Sequence, residues 1–378
     1  MRNVVIAGYA RSPFTPAKKG ELAKVRPDEF AAQTVRGLVQ RTGIDVADIE
    51  DLLLGCAFPE GEQGFNVARL IGFLAELPLS VAGATVNRFC GSSMQAIHIA
   101  AGAIQMNAGE VFLCAGVESM TRVPMGGFNP LPHPGLYARY PQAFAGMGET
   151  AENLARDYKI SRQRQEEFSL LSQQKAAAAQ AAGRLADEIV PITWKGGTVS
   201  LDGCIRSDTT LEGLAKLKLA FDDKGTVTAG TSSPVTDGAS ATLICSEEYA
   251  KRKGLVPLAR IKSIAISGCR PEIMGIGPVV STRKALERAG LTVADLDVIE
   301  LNEAFAAQSL ACIDELGLDP AKVNLDGGAI ALGHPLGATG ARITGKAASL
   351  LRREGKRYAL ATQCIGGGQG IATVLEAV

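Results

Sequence analysis

Cys90, His334 and Cys364 are the side chains of this sequence whose types and settings could carry out nucleophilic chemistry. Cys90 lies in Val86-Asn-Arg-Phe-Cys-Gly-Ser-Ser-Met-Gln-Ala-Ile97, where a strand turns sharply into a helix with Met94, Ile97 and Ala101 on its apolar side. Unpaired N–H groups at a helix start favour negative charge, so the thiolate should be easier to reach there than in solution. His334 sits in Gly327-Gly-Ala-Ile-Ala-Leu-Gly-His-Pro-Leu-Gly-Ala-Thr-Gly340. The proline after it suits a first helical position, and the glycines around it permit close backbone approach, the setting of a catalytic histidine. Cys364 ends a strand in Ala361-Thr-Gln-Cys-Ile-Gly-Gly-Gly-Gln-Gly370. Those glycines resemble a phosphate loop, but Ile371 to Leu375 continues as a strand, whereas nucleotide loops need a helix directly after the glycines. They serve better to turn backbone N–H groups toward a reacting oxygen. Asn302-Glu-Ala-Phe305 ends another strand and starts a helix, which makes Asn302 either a site residue or a simple helix cap.

The remaining candidates read as structural. His98 falls two turns into the Cys90 helix, and His133 lies between Pro132 and Pro134 in a loop, where it would line an entrance or face solvent. Cysteines in apolar runs, such as Val111-Phe-Leu-Cys-Ala and Ala241-Thr-Leu-Ile-Cys, behave as small buried hydrophobes.

The elements that must position these groups repeat. Arg41-Thr-Gly-Ile-Asp-Val-Ala-Asp-Ile-Glu-Asp-Leu-Leu-Leu-Gly55 recurs as Arg288-Ala-Gly-Leu-Thr-Val-Ala-Asp-Leu-Asp-Val-Ile-Glu-Leu-Asn302, so Gly43 returns as Gly290 at an offset of 247 residues. The same offset carries Val111-Phe-Leu-Cys onto Tyr358-Ala-Leu-Ala and brings Cys90 within a few residues of the His334 loop. Two halves of alternating strands and helices follow. Pro27 to Gly43 and Pro278 to Gly290 carry helix start and stop signals, and the continuous apolar runs suit strands covered on both faces. Residues 119–240 have no counterpart in the second half. They open with a Gly/Pro-rich loop from Met120 to Gly148 and continue with helices over Glu149 to Tyr158 and Arg162 to Ala182, the latter with an Ala-rich face, as befits a substrate-holding cap. The domain reading is 1–118 for the first half, completed by about 235–256, 119–234 for the insertion, and 257–378 for the second half.

Lysine plus arginine and aspartate plus glutamate both number 39, with no run of like charge, which argues against nucleic acid as a partner. No apolar stretch is long enough to span a membrane, and Val4 to Gly8 reads as a strand rather than a leader, so a cytoplasmic enzyme is expected. The 8 cysteines show neither zinc spacing nor a disulfide framework.

Asn-Arg-Phe-Cys-Gly-Ser-Ser at 87–93, Asn-Glu-Ala-Phe at 302–305, Gly-His-Pro-Leu-Gly at 333–337 and Cys-Ile-Gly-Gly-Gly-Gln-Gly at 364–370 closely resemble the thiolase family, over essentially the whole chain. Met147-Gly-Glu-Thr-Ala-Glu152 and Thr226-Val-Thr-Ala-Gly230 look like that family's CoA-binding loop domain. The resemblance implies a duplicated α/β fold, two similar halves packed as a five-layered αβαβα core with an inserted loop domain. It also implies cleavage of 3-ketoacyl-CoA by coenzyme A, with Cys90 holding the acyl group, His334 keeping it deprotonated and Cys364 moving the α-proton. Asn302, through a water, and His334 would form one oxyanion hole, and the N–H groups of Cys90 and Gly366 the other. Ser233, Met147, Lys218 and Phe305 would contact CoA or substrate. Coenzyme A is then a substrate, and no metal or redox cofactor is implied. A homodimer or homotetramer is expected, as is, in some degradative relatives, a larger multifunctional β-oxidation subunit. Pro234, Lys218-Leu219 and Ala338-Thr339 depart from common family residues in ways that bear on CoA contact. The rival within the family is an acetoacetyl-CoA thiolase, but the short loop from Thr121 to Ala145 and the string Cys90-Gly-Ser-Ser-Met-Gln favour the degradative branch. A ketoacyl synthase would carry histidine in place of Cys364, and an idle acyl-CoA binding protein would have lost one of the three reactive groups.

Overall fold

The computed structural model describes residues 2–378. In the first half the main elements are β1 (Val4–Arg11), α1 (Pro27–Thr42), β2 (Asp51–Gly55), α2 (Val67–Leu74), β3 (Ala82–Val86), α3 (Ser92–Gln105) and β4 (Val111–Ser119). The inserted segment carries α4 (Met147–Asp157) and α5 (Arg162–Ala181) before β5 (Thr236–Ser246). The second half has β6 (Ala259–Gly268), α6 (Gly277–Ala289), β7 (Val298–Leu301), α7 (Ala306–Leu316), α8 (Leu336–Glu354), β8 (Tyr358–Ile365) and β9 (Gln369–Glu376).

The strands form one hydrogen-bonded path in the order β7-β8-β9-β6-β1-β5-β4-β2-β3. Apart from the edge strand β3, its two arms mirror each other about the β6–β1 junction, where Val5 pairs with Arg260 and Ile6 with Ala259. β2 and β7 begin at 51 and 298, β4 and β8 at 111 and 358, so the offset read from the sequence survives as matched strand positions.

Period-two burial explains the layers. In β4, Val111, Leu113, Ala115 and Val117 face a core shared with α1 and α2. Phe112 and Cys114 face the opposite way, into a core built from α3, α8 and the inner face of the second arm, including Ala359, Ala361 and Ile365. The outer face of that second arm packs against α6 and α7. Five layers result, with α3 and α8 in the middle. A helix layer on each face of each arm is why the strands read as unbroken apolar runs.

Local signals hold at most element ends. Gly43 and Gly290 close α1 and α6 in the left-handed conformation. Ser161 caps α5 by accepting the Arg164 N–H, and Ala176 and Ala179 on its small-residue face pack against Ala331 and Leu332 of the second half. Two expectations need correction. Pro335 is the N-cap of α8 rather than its first helical residue, and α4 begins at Met147 rather than Glu149. Both shifts lie within the one or two residues by which helix ends are read.

Candidate active site

β3 ends at Val86 and the chain reverses through Phe89, whose φ of 43° lies in the left-handed region that few non-glycine residues occupy. Ser92 Oγ ties the turn, donating to the Phe89 carbonyl at 2.6 Å and accepting the Arg88 N–H at 2.9 Å. This sets Cys90 at the start of α3, buried. Burial pushes its thiol up to about 12 against the opposing pull of the Gly366 and Cys90 backbone N–H groups. The expected ease of ionisation is therefore corrected: burial outweighs the helix start. A helix start contributes only roughly 0.3–1 kcal/mol toward the thiolate, too little to offset the loss of water around the sulfur.

His334 follows Gly333 into the gap between the halves, its backbone N–H bound to Thr236 Oγ1 at 3.1 Å. Its Nδ1 stands 2.6 Å from Thr339 Oγ1, one turn into α8. That hydroxyl lies 3.0 Å from the Pro335 carbonyl, which can only accept. The threonine proton goes to Pro335, so Thr339 Oγ1 accepts from Nδ1–H and the lone pair resides on Nε2. Nε2 stands 3.4 Å from Asn302 Nδ2. Burial, reinforced by the charge of Arg342, lowers the imidazole to about 3 and keeps it neutral.

Asn302 is fully buried, and α7 is capped by Phe305, so the reading of Asn302 as a helix cap gives way to the contact with His334. Asn302 Oδ1 has no partner among the described residues. Cys364, at the end of β8, is buried, and its thiol is raised well above its ordinary value by burial and by the neighbouring Cys90. Gly366 follows in the turn between β8 and β9. One cavity of about 400 Å³ touches Cys90, His334 and Cys364 and runs outward past Met147, Ser233 and Phe305. Phe305 meets Phe221 edge to face at 5.8 Å between ring centres. Lys218 is exposed and does not line this cavity. His98 is bound through Nε2 to Thr373 Oγ1 at 2.8 Å, and His133 caps a short helix by accepting the Leu136 N–H. Neither reaches the cavity.

Two family models match, "Thiolase, N-terminal domain" over residues 4–248 and "Thiolase, C-terminal domain" over residues 255–377. The chain belongs to the thiolase family. It is 50% identical over 386 residues to a 3-ketoacyl-CoA thiolase of Yersinia pestis (strain Pestoides F), covering 100% of both chains. It is likewise 50% identical over 388 residues to one of Pseudoalteromonas translucida (strain TAC 125), again covering 100% of both. Among solved structures, human mitochondrial 3-ketoacyl-CoA thiolase in complex with CoA superposes with a TM-score of 0.92 at 39% identity, covering 100% of this chain and 98% of that one.

Three supports of this thiolase's site escaped the sequence reading. Thr339, read there only as a departure bearing on CoA contact, holds His334. Glu118, raised by burial, accepts from the N–H of Ala57 at 2.8 Å and of Gly337 at 2.9 Å, and so ties the first turn of α8 to the first half. Glu303 accepts from Ser172 of α5 at 2.6 Å and Asn324 at 2.7 Å, anchoring the insertion beneath Asn302. The spacing of His334 and Thr339, nearly one helical turn past the proline, could have pointed to the first. Nothing local marks the two glutamates, whose partners are far away in sequence.

Proposed function

We propose that this thiolase is an acetyl-CoA C-acyltransferase that cleaves 3-ketoacyl-CoA with coenzyme A into acetyl-CoA and a shortened acyl-CoA. The observation that carries the reading is the convergence of Cys90, Cys364 and a neutral, oriented His334 on one cavity. As the Cys90 sulfur attacks the substrate's ketone carbon, its proton passes to His334 Nε2. Burial raises the Cys90 thiol, which favours proton transfer to His334 in step with attack. The carbon–carbon bond then breaks, its electron pair forming the enolate of acetyl-CoA, which the Cys364 thiol protonates. Coenzyme A gives its thiol proton to the Cys364 thiolate and attacks the acyl-Cys90 thioester. The departing Cys90 sulfur recovers its proton from His334, closing the cycle.

Directed donors would stabilise the oxyanions. The Cys90 and Gly366 N–H groups, which already act on the Cys90 sulfur, serve one. His334 and Asn302 serve the other, and the unpartnered Asn302 Oδ1 supports a water at that position. Met147, Ser233 and Phe305 would hold the pantetheine arm, with Lys218 farther out. The degradative subtype is supported by the full-length likeness to the 3-ketoacyl-CoA thiolases. Cytoplasmic action as a homodimer or dimer of dimers completes the reading. The edge strand β3, hydrogen-bonded on one side only, lies close in sequence to Phe65 and Leu79, which are 94% and 79% exposed.

Thiolytic cleavage of 3-ketoacyl-CoA of four to sixteen carbons, followed by loss of enolate absorbance, tests this. Activity extending to long chains and abolished in Cys90→Ala is expected. Activity confined to four carbons would reassign the enzyme to acetoacetyl-CoA, and an unimpaired Cys90→Ala would overturn the mechanism.

A further inference from the structure

The two N–H groups assigned to the oxyanion hole around Cys90 come from different halves of the chain, so something must hold their peptides in register across the gap. Two glutamines that straddle the turn after β8 do this. Gln363, fully buried beside Cys364 in β8, donates its Nε2 to the Cys90 carbonyl. That carbonyl is otherwise left over at the helix start: Ser92 N–H bonds to Phe89 and Gln95 N–H to Gly91. Gln369, the first residue of β9, donates its Nε2 to the Gly366 carbonyl at 3.3 Å and accepts from Arg88 Nη1 at 2.7 Å. Arg88, two residues before the nucleophile, is itself held by Gln95 Oε1 at 2.9 Å.

We propose that Gln363 and Gln369 are positioning residues that hold the Cys90 and Gly366 N–H groups as one oxyanion-binding pair by fixing the peptide unit that follows each, with Gln363 also fixing Cys90 relative to the adjacent Cys364. This rests on the function proposed above. Each glutamine bonds a carbonyl next to a working group rather than the substrate, and each bridges the halves: Gln363 to the Cys90 turn directly, Gln369 through Arg88. Gln363 has a second mark of a dedicated contact. Its Oε1 is buried without a partner among the described residues, and a buried orphan acceptor is a cost that an apolar side chain of the same size would avoid.

The test is single-turnover acylation of Cys90 by a 3-ketoacyl-CoA, measured across pH in wild type, Gln363→Met and Gln363→Glu. Methionine keeps the volume and loses the donor, so the acylation rate should fall roughly tenfold with KM within about twofold, on the scale of one lost directed hydrogen bond. Glutamate can donate to the Cys90 carbonyl only while protonated. Gln363→Glu should therefore acylate near the wild-type rate at low pH and lose rate as pH rises, a descending step absent from wild type. Gln369→Met should lower acylation without that step. A residue that only filled space would tolerate methionine, which matches its volume, without loss of rate. Wild-type acylation rates in Gln363→Met, or a wild-type pH profile in Gln363→Glu, would overturn the brace. If Gln363→Met does not fold, the glutamate profile decides alone. Absence of acylation in the wild type would instead count against the proposed function.

Discussion

At the scale of single residues, the site depends on desolvation and on who holds whom. Burial moves Cys90 and His334 apart, the thiol up to about 12 and the imidazole down to about 3, so both are neutral before substrate arrives. What remains to be set is the direction of the imidazole lone pair, and Thr339 sets it. Replacing Thr339 with valine keeps the shape but removes the acceptor for Nδ1–H. We expect kcat/KM for thiolysis to fall by roughly 10²-fold, the usual contribution of a positioned base, with recovery in Thr339→Ser. An active Thr339→Val enzyme would show that the tautomer is fixed elsewhere. The three candidate residues that meet at one cavity were legible from their own strings because turns and glycines mark them locally. The tautomer was not legible, since it depends on where the Pro335 carbonyl points.

At the scale of elements, α8 links the support of His334 to a buried cluster of charges. Its first turn carries the His334 support, and farther along it Lys346, almost wholly buried, reaches Asp326 at 2.7 Å and Glu188 at 3.0 Å. Burial would raise the Asp326 carboxyl, but hydrogen bonds from Arg353 and the charge of Lys346 bring it down to about 2. Because the folded value lies below the unfolded value of about 3.9, the stability this group contributes is present above pH ~4 and lost as pH falls through about 2. Asp326→Asn should leave Lys346 short of a counter-ion and lower the unfolding free energy by about 3 kcal/mol at neutral pH, read from the urea midpoint. An unchanged midpoint would mean that Glu188 alone satisfies the lysine. α8 also crosses α3 so closely that a Cβ at Gly340 would strike the Met94 backbone nitrogen. The repeat predicted that these elements correspond. Which residues let them touch became visible only in their packing.

At the scale of the whole molecule, the proposed self-association should appear in light scattering as a mass twice, or four times, 39.4 kDa. Phe65→Asp combined with Leu79→Asp should return the 39.4 kDa chain; a monomeric wild type would refute the pairing. The sequence by itself determined the duplication and the strand-and-helix alternation and singled out Cys90, His334 and Cys364 as candidates, because periodicity, caps and glycine turns are properties of neighbours along the chain. The tertiary structure decided the sheet order, the placement of α3 and α8 in the central layer, the burial of the site and the contacts made by Glu118, Glu303, Asn302, Thr339 and Gln363. Those depend on which distant groups exclude water from one another and which carbonyls are left without a donor. Residues separated by hundreds of positions set both, and no local pattern records them.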